Sequence, residues 1–478
     1  MLQRIREGLT LVLIAVLPFH AFLVTVGTKL IAGSGQSPLP VLALWKEAVL
    51  GMILLVALVE IFREWKTESG KWKVDVFDIL IVGLIAWSII LYFVFHFPLS
   101  TFHFAFGFKY DFLPLVAFLI LRRVPWSPWF ISTAVAVLLS VGAVVAVYGI
   151  AAIFLPMSWF TALGYSDLHS LYVPGGPLAP FQQIESIGIR RMQSVMSGPN
   201  QMGLWLLIPW SIAFVDLVRR RSFAGLLVCS LLVVGILLSF SRSAWIAAAV
   251  IGAVVAWKHL SRKQMVMAAS FLIVLAVIAV AAFPSIVLRA TSTTGHIDRP
   301  LQALQIMKEH PLGLGLGSAG PASNRFSDAC VDLPAGSDAS WAQAHSQLCV
   351  FVGGNQVQPP LPSGELRPAG QPADRTCSCP LLPENWYLQI GVELGWIGFI
   401  LYVTLVLMLL KRLTELKIEN VKLKKEEFSI FNFQFSIGLA FLGISIAALF
   451  LHAWEDSAVA YTVWILMAMG LLLRRRIH

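Results

Sequence analysis

Twelve runs of mainly apolar residues follow one another along the 478-residue chain, separated by short charged turns, and this alternation leaves few folds open. The runs lie near 8–28, 41–62, 76–96, 107–121, 129–156, 199–218, 222–240, 243–257, 265–283, 387–410, 429–452 and 458–473. About 20 apolar residues carry a helix across a bilayer, and inside it every backbone N–H and C=O must find a partner within the protein. The expected fold class is an all-α polytopic membrane protein with about twelve transmembrane helices. A share of 58% hydrophobic and 13% charged residues agrees, since soluble domains carry far more charge.

The net charge of +9 would suit nucleic acid if the cations clustered on a soluble face, but their placement points to topology instead. With Arg4 and Arg6 in the cytosol, every second turn (63–75, 122–128, 219–221, 258–264, 411–428 and 474–478) is on the same side, and these turns hold most of the 35 Lys and Arg. Both termini are then cytosolic. Membrane lipids, not nucleic acid, are the expected contact for this charge. The first run is long enough to span and lacks an A-x-A-like site, so no cleavable signal peptide is expected.

That topology puts 29–40, 97–106, 157–198, 239–243, 284–386 and 453–457 on the outer side. Three parts follow: 1–283 with nine spans and the outer loop 157–198, the large extracytoplasmic (periplasmic) loop 284–386 with short helices, and 387–478 with three spans. Cys330, Cys349, Cys377 and Cys379 all fall in the large loop, where an oxidising compartment permits disulfides. Their connectivity stays open among three possibilities. Cys229 lies within a span as a small apolar residue. No metal is expected, since the C-S-C spacing lacks the usual two-residue gap and His345 is the only nearby histidine.

Cations on the outer side work against the topology bias and so need a reason. Lys46 has Glu47 beside it, Lys109 has Asp111 two residues on, and Lys29 flanks a span. Arg190 and Arg191 close the second outer loop in GIRRMQSVMSGPNQMG, and Arg242 sits in LLSFSRSAWIA at a turn too short to carry it away from the membrane. Arg289 and Arg299 occupy the first root of the large loop. A guanidinium offers a planar fork of donors matched to phosphate oxygens. Several converging at a lipid interface suit a diphosphate.

After Thr294-Gly295-His296, the segment LQALQIMKEHP reads as a short helix with Pro300 in its first turn and a stop at Pro311. Leu301, Leu304 and Met307 would share its packed face. Gly315-Leu316-Gly317-Ser318-Ala319-Gly320 matches G-x-G-x-x-G formally, but no strand precedes it and no βαβ unit surrounds it, so the glycines serve tight turns and amide donors rather than a dinucleotide. At the second root, Glu384 precedes Asn385 and Tyr387 where chain passes from water to membrane. A partly buried carboxylate there can act as a general base. Glu393, deeper in the run, reads as structural.

RRMQSVMSGPNQMG, SFSRSAW, HPLGLGLGSAG and ENWYLQIGVELGWIG, in this order, resemble the O-antigen ligase and O-antigen polymerase family of bacterial envelope glycosyltransferases, over about residues 185–410. The resemblance implies a membrane-embedded fold of the glycosyltransferase C type in the bacterial inner membrane, with its active site facing the periplasm. It implies an inverting, metal-independent transfer, with no cofactor, of a glycan from a polyprenyl (undecaprenyl) diphosphate to an acceptor hydroxyl on a lipid or glycan. Arg191 or Arg190, Arg242 and Arg289 become the expected diphosphate-recognising groups, followed by Lys109 and Arg299. Asn385 and Tyr387 carry the acceptor-side motif. Many relatives have a histidine just before that Asn; here the position is Glu384, which would take the acceptor proton, with His296 and His345 as possible substitutes. Ligase and polymerase differ only in acceptor and are not separated by these motifs. A transporter or flippase of lipid-linked glycans shares the topology, and an inactive assembly scaffold would need none of the arginines.

Overall fold

The computed structural model describes residues 1–67, 74–94, 101–167, 176–184, 188–259, 261–282, 284, 290–333, 335–345, 348–359, 377–414 and 425–475. Arg289 lies outside the described residues.

The described residues of the twelve apolar runs fall mainly on helix. In chain order these are α1 (Leu2–Val16) continuing into α2 (His20–Ala32), α3 (Trp45–Thr67), α4 (Val76–Val94), and α5 (Thr101–Gly107), which passes through a π-turn at Phe108–Phe112 into α6 (Leu113–Leu121). Then come α7 (Pro128–Phe154), α8 (Pro199–Arg220), α9 (Phe223–Leu238), α10 (Arg242–His259) and α11 (Arg262–Ala282). The large loop contributes α12 (Ala290–Glu309) and α13 (Gly320–Phe326), and the chain closes with α14 (Trp386–Thr414), α15 (Lys425–Ala447) and α16 (Ser457–Arg475). Among the described residues, six segments are long and apolar enough to cross a membrane: Leu2–Ala32, Val76–Phe93, Thr101–Leu121, Pro128–Phe154, Pro199–Arg220 and Trp386–Arg412. Phe223–Leu238, Asn432–Ala447 and Ser457–Leu471 are shorter apolar helices.

Two helices form the centre. From Met202 to Ala213 on α8 and from Ala458 to Met469 on α16, apolar side chains are buried on every face rather than along one stripe. Around them pack α7, α9 and α15 on one side and α6 on the other. At one end of the bundle, charges pin helix ends together: Arg6 donates to Glu60 (2.7 Å), and Arg122 pairs with both Asp75 (2.7 Å) and Asp78.

The opposite end carries the large loop, where the structure adds three details to a mainly helical fold. First, α12 begins at Ala290, so Pro300 lies inside the helix rather than in its first turn. Burial decides its packed face: Ala303 and Met307 are buried with Leu388 and Val392 of α14, whereas Leu301 is 58% exposed. Second, the middle of the loop holds a sheet in which β3 (Ala329–Leu333) pairs parallel with β4 (Leu348–Val352), and β4 pairs antiparallel with β5 (Asn355–Gln358). The β-branched and aromatic residues of ACVDL and LCVFV favour extended chain. A two-stranded hairpin, β1 (Gln182–Ile184) with β2 (Ile189–Arg191), adds strand to the other loop. Third, the cysteine connectivity is Cys330–Cys379 and Cys349–Cys377, which ties the C-S-C segment to two neighbouring strands. All four sulfurs are thereby consumed.

The glycine turn between α12 and α13 is part of the helical bundle. Gly313, Gly315, Gly317 and Gly320 all have positive φ, and a Cβ on Gly317 would stand 2.1 Å from the His103 carbonyl oxygen. Helix α14 is interrupted at Gly395 (φ 65°, ψ −167°), and the turn fills the break. Leu314 N–H donates to Val392 O (2.8 Å), Gly315 N–H to Glu393 O (2.9 Å), and Trp396 N–H to Pro311 O (3.0 Å). Trp87 Nε1 covers the Leu394 carbonyl at 2.9 Å.

Candidate active site

Four residues of the large loop's two roots and their surroundings converge where α12 meets the start of α14. Arg299 Nη1 donates to Glu384 Oε1 at 2.6 Å, across 85 residues of sequence, and His296 Nδ1 stands 3.7 Å from Glu384 Oε2. His296 and Arg299 are on one face of α12, three residues apart, so a single helix presents both to the carboxylate. Arg242, at the first position of α10, lies close enough to act electrostatically on His296. Burial holds the His296 imidazole below its ordinary pKa, opposed by Glu384 and reinforced by Arg242 and Arg299. Its Nδ1 is a buried atom with no hydrogen-bond partner.

The ENWY segment is docked on the turn that follows α15. The apolar run 429–452 leaves helix at Ala447, and 448–456 forms a turn instead of the end of a span. Trp386 N–H donates to Ala448 O (2.9 Å), Asn385 Nδ2 to Leu449 O (2.9 Å), and Tyr387 Oη to Ser445 O (2.7 Å). Asn385 Oδ1 also accepts from Leu388 N–H (3.0 Å), the geometry of a helix N-cap. Asn385 and Tyr387 therefore hold backbone beside the site. Glu384 itself has φ +54°, and its N–H donates to His452 Nε2 at 3.2 Å.

His452 is the residue the sequence did not reveal. Three ionisable residues, His452, Glu455 and Asp456, sit in one turn between apolar runs, and that clustering was the available signal. Burial pushes the Glu455 carboxyl up to about 8, with Asp456 and Glu384 adding to the shift.

The remaining expected cations serve protein contacts. Arg191 is buried, with Nε donating to Ser239 O (3.1 Å), Nη1 to Gln182 Oε1 (2.8 Å), and Nη2 to Asn200 Oδ1 (2.7 Å) and Phe240 O (3.4 Å). With Met192 N–H on Leu238 O (2.8 Å), it clamps the sharp turn, φ +50° at Phe240, from which Arg242 starts α10. Arg190 donates to the carbonyls of Ile153 (3.3 Å) and Leu155 at the end of α7 and lies over Phe181. Lys109 pairs with Glu47 at 2.9 Å, not with Asp111. Residues two apart point to different sides of a helix, and Asp111 faces Gln389 and Glu393 instead. Lys46 pairs with Glu47 at 3.3 Å. Lys29 donates to the Ala162 carbonyl. Glu393 accepts from the amides of Gly317 (3.0 Å) and Ala319 (3.2 Å), so those amides of the glycine turn are taken up by the protein's own carboxyl group. His345 follows the short 3₁₀ segment Ser340–Ala344, its carbonyl accepting from Gln358 Nε2, and belongs to the stapled cover.

Residues 227–352 match a family model described as O-antigen ligase. The match supports the O-antigen ligase/polymerase family, and with it a glycosyltransferase-type enzyme of the membrane. It includes Arg242, His296, Arg299 and the glycine turn. Arg191 and Glu384 lie outside it and join it through the contacts above. No curated protein matches the sequence.

Proposed function

We propose that the protein is a metal-independent, inverting glycosyltransferase that moves a glycan from a polyprenyl diphosphate, undecaprenyl diphosphate in bacteria, to an acceptor hydroxyl at the outer face of the inner membrane. The convergence of Arg299, His296 and Glu384 supports this most strongly. Glu384 Oε2 stands 3.7 Å from His296 Nδ1, and a substrate hydroxyl beside them would donate its one proton to that carboxylate oxygen. Held there, the hydroxyl oxygen attacks the anomeric carbon, the C1–O bond to the diphosphate breaks with its electron pair going to the phosphate oxygen, and the hydroxyl proton passes to Glu384.

The leaving diphosphate gains charge that fixed cations must stabilise. Arg299 touches the carboxylate, Arg242 acts on the neighbouring His296, and Arg289, at the same root of the loop in sequence, is the third. Arg191 contributes by holding the turn that presents Arg242. Lys109 and Arg190, committed to Glu47 and to the end of α7, bear on the substrate only through the packing of their helices. Twelve crossings with both termini in the cytosol put the large loop outside. There the partners are a lipid-linked donor, a lipid or glycan acceptor, and the surrounding lipids.

The test is transfer by the purified protein in detergent from a lipid-linked oligosaccharide to candidate acceptors, with and without chelator. The reading expects product in both conditions and its loss in Glu384→Gln. Strict dependence on a divalent cation, or full activity in Glu384→Gln, would overturn it. Movement of the lipid-linked glycan across vesicles without any transfer would favour a flippase.

A further inference from the structure

Glu384 has a left-handed backbone, which costs a residue with a Cβ roughly 1–2 kcal/mol and persists only where the surroundings impose it. Its neighbours Asn385 and Trp386 are tied to backbone carbonyls of the 448–449 turn, but the Glu384 N–H is tied to a side chain, His452 Nε2. That one bond fixes a chain of assignments. A backbone N–H only donates, so Nε2 carries the lone pair and the ring proton is on Nδ1. Nδ1–H then donates to Gln389 Oε1 at 2.7 Å, which turns the Gln389 amide nitrogen to Asp111 Oδ1 at 3.4 Å. No other orientation of the ring or the carboxamide satisfies all three contacts.

We propose that His452 is a positioning residue: it fixes the backbone of Glu384 and thereby aims its carboxylate between Arg299 and His296, while Gln389 fixes His452 in the tautomer this requires. The aim matters because the proton acceptor must lie within hydrogen-bond reach of the hydroxyl it deprotonates. Burial holds the His452 imidazole down to about 4, so the ring is neutral and Nε2 remains an acceptor at neutral pH. The inference rests on Glu384 as the proton acceptor of the proposed transfer.

Two substitutions of similar size separate positioning from packing. In His452→Gln the side-chain oxygen reaches the place of Nε2 and can accept from Glu384, whereas in His452→Asn the amide reproduces Nδ1, keeps Gln389 and stops short of Glu384. In the full-length protein in detergent, deuterium exchange at the Glu384 amide should stay slow in the Gln variant and become fast in the Asn variant. Transfer should follow it, with kcat retained within roughly threefold in the first and down by at least about tenfold in the second, at unchanged donor KM and unfolding temperature. Slow exchange at Glu384 in His452→Asn, or equal losses of kcat in both variants, overturns the proposal. Exchange is read without turnover, so a wild-type protein that transfers nothing would reject the functional reading while the amide still decides the clamp.

Discussion

Arg191 and Arg299 look equivalent in the sequence, two arginines beside loops on the same side of the membrane, but their surroundings separate them. The Arg191 guanidinium is buried against two carbonyls and two side-chain amides, and the groups it holds shape a turn. The Arg299 side chain is 42% exposed and reaches a carboxylate that is itself 22% exposed. A buried cation must have its donors met by protein or pay heavily for desolvation, and one met in full has little left to offer a substrate. A half-exposed cation beside a carboxylate can exchange its partner for a phosphate at small cost. Position relative to the membrane does not identify a phosphate-binding arginine; the number of its donors already engaged does.

Variants can break or sharpen that contrast. The largest effect on activity is expected for Glu384→Gln, with initial transfer rates lower by about 10²–10⁴-fold and an unchanged unfolding temperature. Gly317→Val should be lost at the level of folding, because the new Cβ meets the His103 carbonyl at 2.1 Å and φ is +89°. A destabilisation of about 3 kcal/mol or more would show as poor recovery of monodisperse protein in detergent. Arg191→Lys should cost about 2–4 kcal/mol, since an ammonium cannot span four acceptors. Unfolding temperature and activity should then fall together. A loss of activity without loss of stability would place Arg191 on the substrate and end the contrast. Arg299→Lys should do the reverse, lowering transfer by roughly tenfold while the unfolding temperature holds, because the planar fork rather than the charge is lost.

The smallest effect is in pH dependence. With its carboxyl raised from 4.5 to about 8, Glu455 is ionised in the unfolded chain but protonated in the folded protein between those values, which favours the unfolded chain as pH rises through that window. Glu455→Gln should therefore raise the unfolding temperature near pH 8 and leave it unchanged near pH 4.

The helices were legible because apolar runs of this length have few alternatives, and the roots of the large loop were legible because cations and a carboxylate there lacked a topological reason. The pairing of Arg299 with Glu384 was not, since 85 residues separate them and nothing local records which charges meet. His452 was hidden for a different reason. Ala448, Leu449, Phe450 and Leu451 are apolar, so the run continues past the last helical residue and takes the histidine with it. Arg191 resisted reading because its partners are mainly carbonyls and amides, which every sequence has everywhere. The short sheet was obscured by the Gly, Pro and Ser around it.

The break at Gly395 has a practical consequence for exchanging loops between relatives. The glycine turn supplies hydrogen bonds that α14 cannot make for itself, and at membrane depth each one left open costs several kcal/mol. Residues 311–320 are in that sense inside the membrane machinery although they belong to the loop by sequence. Replacing everything between α11 and α14 would open the helix at its weakest point. An exchange confined to the stapled cover, with junctions after Phe326 and before Leu381, would leave those bonds and Glu384 in place and change only what the cover presents.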